Sequence, residues 1–570
     1  MDAPTSTEAT TELLKRLLEI LDEENALDRT GSKPVLEFVY PEDLQIIVCI
    51  LSVLNLHLKR YYEKFNLQRK LLPIELTDEP ASKEEIETVI RQTIRYSVKT
   101  FSPHFHNQLY AGIDEYGLAG SWLTDVLNTS QYTYEVAPVF TMMEQQVIEQ
   151  SLKLVGYPPL PEGDGILCPG GSLSNMYGMV MARYKMIPDV KRKGLAGLPQ
   201  LVCFTSEAGH YSITKGAHWL GLGTDNVYKV KCDEFGRMRP DDLQAGIAEV
   251  KRQGHLPFFV NATCGTTVLC SFDPLPEIAA ICREENLWLH VDACLGGTLL
   301  LSEKYRDRLK GIELSNSVAW NPHKMLGAPL QCSLFLIKGK NTLHEANCVG
   351  ARYLFQQDKH YDVSWDTGDK SLQCGRKVDG AKLWLMWKAR GTKGLCESVE
   401  VAMSAVEYIP PSMRTQEETQ EWWDKLYEIT AKVKGRMMLE GTLMVGYTPL
   451  SYCNLGNFFR MVVTCQPPPS NASMDYVIDK IEELAADFEG CQEFVVGVAS
   501  DNRNSTPRSR PSQPGIRLRS YPPPLRWLHL NVLCLILERL RLKNCTMHER
   551  KDQNESNLGF CELPSSEEDN

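Results

Sequence analysis

The sequence predicts an α/β fold: a large domain with a mainly parallel sheet, followed by a smaller C-terminal α+β domain. Two observations carry this. Between about residues 150 and 340, the short apolar runs LVCFTS, PFFVNAT, LWLHVDA, SVAWNPH and CSLFLIK alternate with helical stretches, as strands with crossover helices do. Beyond about 395 a shorter mixed region ends in the helical run MDYVIDKIEELAADF.

Taken in order, residues 1–100 read as a helical arm that packs on something larger. LLKRLLEILDEE and DLQIIVCILSVLNLHLKRYYEK both repeat apolar positions at helical spacing. Residues 101–395 form the large domain and 396–490 the small one. Residues 491–570 are expected to be disordered, because RNSTPRSRPSQPG and the acidic end SSEEDN bury too little apolar surface to order themselves. Within that tail LRWLHLNVLCLILERLRL carries Arg and Glu and falls short of the roughly 20 apolar residues a membrane span needs.

Composition excludes several classes of partner. A net charge of -12 over 570 residues gives no electrostatic grip on nucleic acid or an anionic membrane surface, so small-molecule chemistry is the expectation. The 18 cysteines are scattered through apolar segments, without the paired spacing of a zinc site or a disulfide scaffold, and read as reduced core thiols. Met1–Leu18 lacks a basic stretch followed by an apolar one, so a secretory signal is not expected and the cytosol is the simplest compartment.

The chemistry gathers at predicted strand ends, where ligands sit in open α/β sheets. Lys324, in Asn321-Pro322-His323-Lys324, is the candidate Schiff-base lysine. Asp292 closes LWLHVDA 32 residues earlier, room for one crossover and the next strand. A carboxylate there would pair with a protonated pyridine nitrogen, keeping pyridoxal phosphate (PLP) able to accept electrons from the substrate α-carbon. Pro169-Gly170-Gly171-Ser172-Leu173-Ser174-Asn175 precedes a helical run and would offer free N–H groups and a hydroxyl to a phosphate. His210, after LVCFTS, would lay an imidazole over the cofactor ring, and Thr267, after PFFVNAT, would add a hydroxyl. Taken singly, these are a surface lysine, a helix cap, a loop, a structural histidine and a turn threonine; the combination is what points to one site.

The ordered run PGGSLSNMY, HYSI, LWLHVDA, SVAWNPHKM, YLFQQDK, DTGDK and NFFR resembles the PLP-dependent glutamate and cysteine sulfinate decarboxylases from about residue 90 to 490. The resemblance implies the aspartate-aminotransferase-like fold (fold type I) and a homodimer with active sites at the subunit interface. It implies that Lys324 binds PLP, Asp292 pairs with the ring nitrogen and His210 stacks on the ring. Gly171, Ser172, Asn321 and His323 would surround the phosphate and the lysine. Tyr353 matches the tyrosine of a mobile catalytic loop, a proton donor to the substrate α-carbon. Arg460 matches an arginine that binds a substrate carboxylate.

Gln108, within Asn107-Gln108-Leu109-Tyr110, falls in the segment that touches substrate in this family. Glutamate decarboxylases carry a small hydroxyl residue where this chain has Tyr110. A bulky ring would shorten the pocket and favour cysteine sulfinate or aspartate over glutamate, giving hypotaurine or β-alanine. Glutamate decarboxylation is the alternative, and an aminotransferase on the same fold fits the loop around Tyr353 less well.

Several positions depart from the family. Cys294 stands where an alanine methyl packs under the cofactor ring, and cysteine is small and apolar enough to fit. The family also has further sheet between the segments matching AVEY and IPPSMR, which are joined directly here across Tyr408–Pro410. A shortened small domain leaves a second expectation, a catalytically impaired homologue that still dimerises.

Overall fold

The computed structural model describes residues 6–39, 76–407, 420–450, 452 and 455–486. The run DLQIIVCILSVLNLHLKRYYEK, the Tyr408–Pro410 junction and the tail from 491 lie outside the described residues.

The first described helices are α1 (Ser6–Glu23), on which the periodic run LLKRLLEILDEE falls, and α2 (Lys83–Tyr96), within the span read as helical. Arg16 and Arg91 of these helices reach Glu87 and Glu24 across the pair, at 3.0 and 2.8 Å. Ser82 and Glu85 close α2 with a reciprocal capping box. The segment that follows α1 joins the body of the protein through Val35 N–H to the Gly441 carbonyl at 2.7 Å. The outer face of α1 leaves Leu13, Leu14 and Leu18 exposed.

After the two-residue strand β1 (Phe105–His106) come α3 (Glu115–Leu127), capped by the Asp114 carboxylate, and α4 (Pro138–Val155), with Pro138 at its first turn. The central sheet then unfolds from β2 (Gly163–Cys168), α5 (Gly171–Met186), β3 (Leu201–Ser206), α6 (Ser212–Trp219) and β4 (Val227–Val230). It continues through α7 (Pro240–Arg252), β5 (Leu256–Thr263), α8 (Leu275–Glu284), β6 (Trp288–Asp292), β7 (Ser317–Trp320) and β8 (Ser333–Lys338).

Strand order is β2-β8-β7-β6-β5-β3-β4. All five apolar runs are strands, and four lie parallel as expected. The fifth, CSLFLIK, is antiparallel to both its neighbours, because a turn-rich link rather than a crossover helix joins it to β7. β2 and β4 were not read from the sequence: GDGILC is broken by glycine and VYKV is short. Helices cover both faces, so β3, β6 and β7 are buried along their whole length and read as apolar runs without alternation.

The helix α9 (Gly380–Val406, broken at Gly391) packs on α3 and α4, with Leu383, Met386, Leu395 and Val399 in the large core, and the smaller region packs α10 (Gln420–Glu440) and α11 (Asn471–Ala485) with β9 (Met444–Leu450) and β10 (Leu455–Arg460). Its three-stranded sheet, β1-β9-β10, borrows β1 from far upstream. Val433, Met437, Val445, Met461 and Val477 form its own apolar core. The chain leaving β10 returns to the large sheet, where Cys465 N–H bonds the Met325 carbonyl at 2.8 Å, next to Lys324.

Candidate active site

The site forms where parallel strands end together. β6 finishes on Asp292, in register with Ala319 of β7, and β7 runs straight into the turn holding Asn321, His323 and Lys324. β2 leads to Gly170 and α5, β3 to His210, and β5 to the loop with Thr267.

Asp292 is 5% exposed, and its carboxylate is held from behind. Asn175 Nδ2 donates to Oδ2 at 2.8 Å and the Cys294 N–H to Oδ1 at 3.1 Å. Burial alone would raise its pKa, but the Lys324 charge, these donors and His210 outweigh that and hold it below the ordinary carboxylate value. Asp292 therefore stays ionised, as a partner for a pyridinium must. His210 accepts the Ser212 N–H on Nδ1 at 3.2 Å, which puts the proton of the neutral ring on Nε2. Burial lowers its pKa, Asp292 pulls it up and Lys324 pushes it down, so the three groups share one electrostatic field.

Gly170 turns the chain at φ +97° into α5, whose first two residues, Gly171 and Ser172, have no helical carbonyl for their N–H groups. A Cβ on Gly171 would lie 2.5 Å from Cys294 Sγ and 2.6 Å from Asn321 Nδ2, whereas one on Gly170 would meet nothing within 4 Å. Gly171, Cys294 and Asn321 thus meet at one point beside an open helix N-terminus. Ser333 Oγ donates to Asn321 Oδ1 at 2.6 Å, fixing that side chain. His323 Nδ1 lies 2.5 Å from the Cys332 carbonyl oxygen and 3.1 Å from its backbone nitrogen, and burial drops its pKa to about 4.

The residues expected to touch substrate stand differently. Arg460, at the end of β10, donates to the carbonyls of Thr267 at 3.1 Å and Asn107 at 3.2 Å. It has no carboxylate partner among the described residues. Thr267 enters through its backbone rather than its hydroxyl. Gln108 is exposed, and Tyr110 is 38% exposed with its ring 6.3 Å from that of Phe105, so it is not a core aromatic. Tyr353 is 79% exposed. Its loop is pinned further along, where Lys359 Nζ meets the buried Asp366 at 2.9 Å.

Sequence reasoning missed Asn175 and His290 behind Asp292, and Lys434. The Lys434 ammonium bonds Asn107 Oδ1 at 3.0 Å, and burial lowers its pKa to about 8. Asn175 was within reach: it lies one helical turn into the glycine-led segment, on the face turned to the sheet.

A buried ionised carboxylate, a lysine in the turn after the next strand and uncapped N–H groups at a helix start fit the ring nitrogen, aldehyde and phosphate of PLP. With this sheet, they mark an enzyme of fold type I. The profile of the pyridoxal-dependent decarboxylase conserved domain matches residues 66–425, so the chain belongs to that family and is a PLP-dependent amino-acid decarboxylase. The solved structure of mouse CSAD is 42% identical, with a TM-score of 0.75, over 85% of this chain and 100% of that one. Two further structures share the fold. Rhodiola rosea 4-hydroxyphenylacetaldehyde synthase is 23% identical, with a TM-score of 0.68, over 85% of this chain and 98% of that one. Oryza sativa TDC with PLP and tryptamine is 19% identical, with a TM-score of 0.71, over 87% and 99%.

Proposed function

We propose that this decarboxylase acts on short acidic amino acids, cysteine sulfinate or aspartate, as a cytosolic homodimer. The observation that carries the substrate class is Arg460, a partly buried cation without a carboxylate partner among the described residues, beside the segment bearing Gln108 and Tyr110. The 42% identity to mouse CSAD supports the same class. Trp122, Val126 and Leu127 of α3 and Val139 and Met142 of α4 are 43–72% exposed, an apolar surface of the kind a subunit interface buries.

The cofactor supplies an electron sink for the carbon that loses CO2. Lys324 would hold it covalently through Nζ and release it to the incoming amino group. Asp292, kept ionised, would hold the ring nitrogen protonated; the Gly171 and Ser172 amides would take the phosphate, with Asn321 and His323 bracing that wall. His210 would flatten one face of the ring. Arg460 would bind a substrate carboxylate, and Tyr110 would close the side-chain end of the pocket against glutamate. Tyr353 would swing in with its loop, exclude water and give its hydroxyl proton to the substrate α-carbon.

The test is the visible spectrum of protein purified with PLP, beside Lys324→Ala, with CO2 release assayed on cysteine sulfinate, aspartate and glutamate. A Lys324-dependent band with turnover of the shorter acids is expected. Faster turnover of glutamate would replace the substrate reading, and the absence of both the band and CO2 release from any acid would favour the impaired homologue.

A further inference from the structure

Behind Asp292 lies a file of polar side chains buried in the layer between β6 and α5. Trp288, His290 and Asp292 alternate along β6 and so share one face. Ser317 lies opposite His290 on β7, and Asn175 reaches down from α5. The contacts are Trp288 Nε1 to Ser317 Oγ at 2.9 Å, Ser317 Oγ to His290 Nδ1 at 2.8 Å, His290 Nε2 to Asn175 Oδ1 at 3.0 Å and Asn175 Nδ2 to Asp292 Oδ2 at 2.8 Å. Trp288 is 9% exposed, Asn175 1%, and His290 and Ser317 are fully buried.

The donor inventory fixes the direction of every bond. An indole N–H only donates and a carboxylate only accepts, so the ends are set. Asn175 must turn its NH2 to Asp292, which leaves its oxygen facing His290 and requires a proton on Nε2. In the neutral ring Nδ1 is then bare and takes the Ser317 hydroxyl proton, while that oxygen accepts from Trp288. Each bond points at Asp292, the arrangement in which neighbouring bonds polarise one another. The surroundings hold the imidazole in place. Phe259 stacks on it at 5.8 Å, and Gly178 of α5 leaves it space that a Cβ, 2.8 Å from Nδ1, would take.

We propose that Trp288, Ser317, His290 and Asn175 form a positioning relay that keeps Asp292 ionised and fixed for the cofactor's ring nitrogen. This rests on the assignment of Asp292 as the partner of that nitrogen. His290 is a positioning residue, acting only through Asn175 and Asp292.

The test measures PLP affinity of the full chain by titration of the apoprotein, and follows the visible band of the bound cofactor against pH. His290→Phe keeps the ring shape but breaks the file, and should weaken PLP about 10- to 100-fold and move the pH response of the band. Ser317→Ala removes only the outer link and should shift both readouts less, in the same direction. His290→Gln, which can donate to Asn175 and accept from Ser317, should recover part of the loss. Nitrogen-15 NMR of histidine-labelled wild-type protein should find the His290 proton on Nε2. Wild-type affinity and pH response in both His290→Phe and Ser317→Ala, or a neutral His290 ring with its proton on Nδ1, would overturn the relay. If His290→Phe does not fold, Ser317→Ala and the NMR measurement decide. Asp292→Ala separates the premises: unchanged PLP binding there would remove the assignment of Asp292 itself, whereas its loss beside an unaffected relay variant would remove only the relay.

Discussion

The two halves of the site are built on opposite principles. On the large sheet, Asp292, Asn321 and His323 are each buried and held by at least one hydrogen bond from a fixed neighbour. On the side of the small sheet and the Tyr353 loop, Gln108, Tyr110 and Tyr353 are exposed, and Arg460 hydrogen-bonds backbone carbonyls among the described residues. The first half is rigid before any ligand arrives, as electrostatic work on a cofactor demands. The second half is open, as admission of a substrate and closure over it demand. Chemistry and selectivity are therefore separable by mutation.

Damage to the rigid half should be the most severe. Lys324→Ala is expected to lower kcat by at least about 10⁴-fold and abolish the visible band, with thermal stability little changed. Tyr353→Phe lies in the open half, yet under the proposed function it touches chemistry through one proton. It should cost about 10²- to 10⁴-fold in kcat while the band and PLP affinity stay as in the wild type. A loss of the band in this variant would mean that the halves are not separable. Gly171→Ala should weaken PLP by about tenfold through crowding of Cys294 and Asn321, and Cys294→Ala in the same chain should restore part of it by removing the nearer clash. Tyr110→Ser should leave the band intact and move the glutamate-to-cysteine sulfinate ratio of kcat/KM upward by about tenfold.

The smallest expected effect is on stability. Burial lowers the pKa values of His106, His290 and His323 to about 4, from an ordinary 6.5. These rings stay neutral in the fold, while the unfolded chain takes up protons below pH 6.5. The unfolded state then binds more protons, so stability present above that pH is lost as pH falls from 6.5 towards 4. Thermal melts across this window should show the midpoint falling with pH, and substituting His290 should flatten the slope.

The same division governs what the sequence reveals. Lys324, Asp292 and the glycine-led turn are legible because strand ends and helix starts are marked by local pattern, and the sheet brings them together. The five apolar strands are legible for the same reason, although the reversed direction of β8 depends on a link whose turns the pattern does not display. Asn175 and His290 were missed because a buried polar residue acquires its meaning only from the partner across the layer. Gln108, Tyr110 and Arg460 were proposed from resemblance to relatives, since β1 and β10 lie some 350 residues apart and come together only in the fold, on either side of β9. Thr267 shows the limit: its position was anticipated, but it is the carbonyl, not the hydroxyl, that meets Arg460.

The most direct test of the account is the ratio of kcat/KM for release of α-carboxyl CO2 from cysteine sulfinate, aspartate and glutamate by one PLP-loaded preparation, with Lys324→Ala as the blank. The account predicts that both three-carbon acids exceed glutamate by at least about tenfold and that all turnover disappears in the blank. Turnover of glutamate equal to or above theirs, or CO2 release that survives Lys324→Ala, would contradict it.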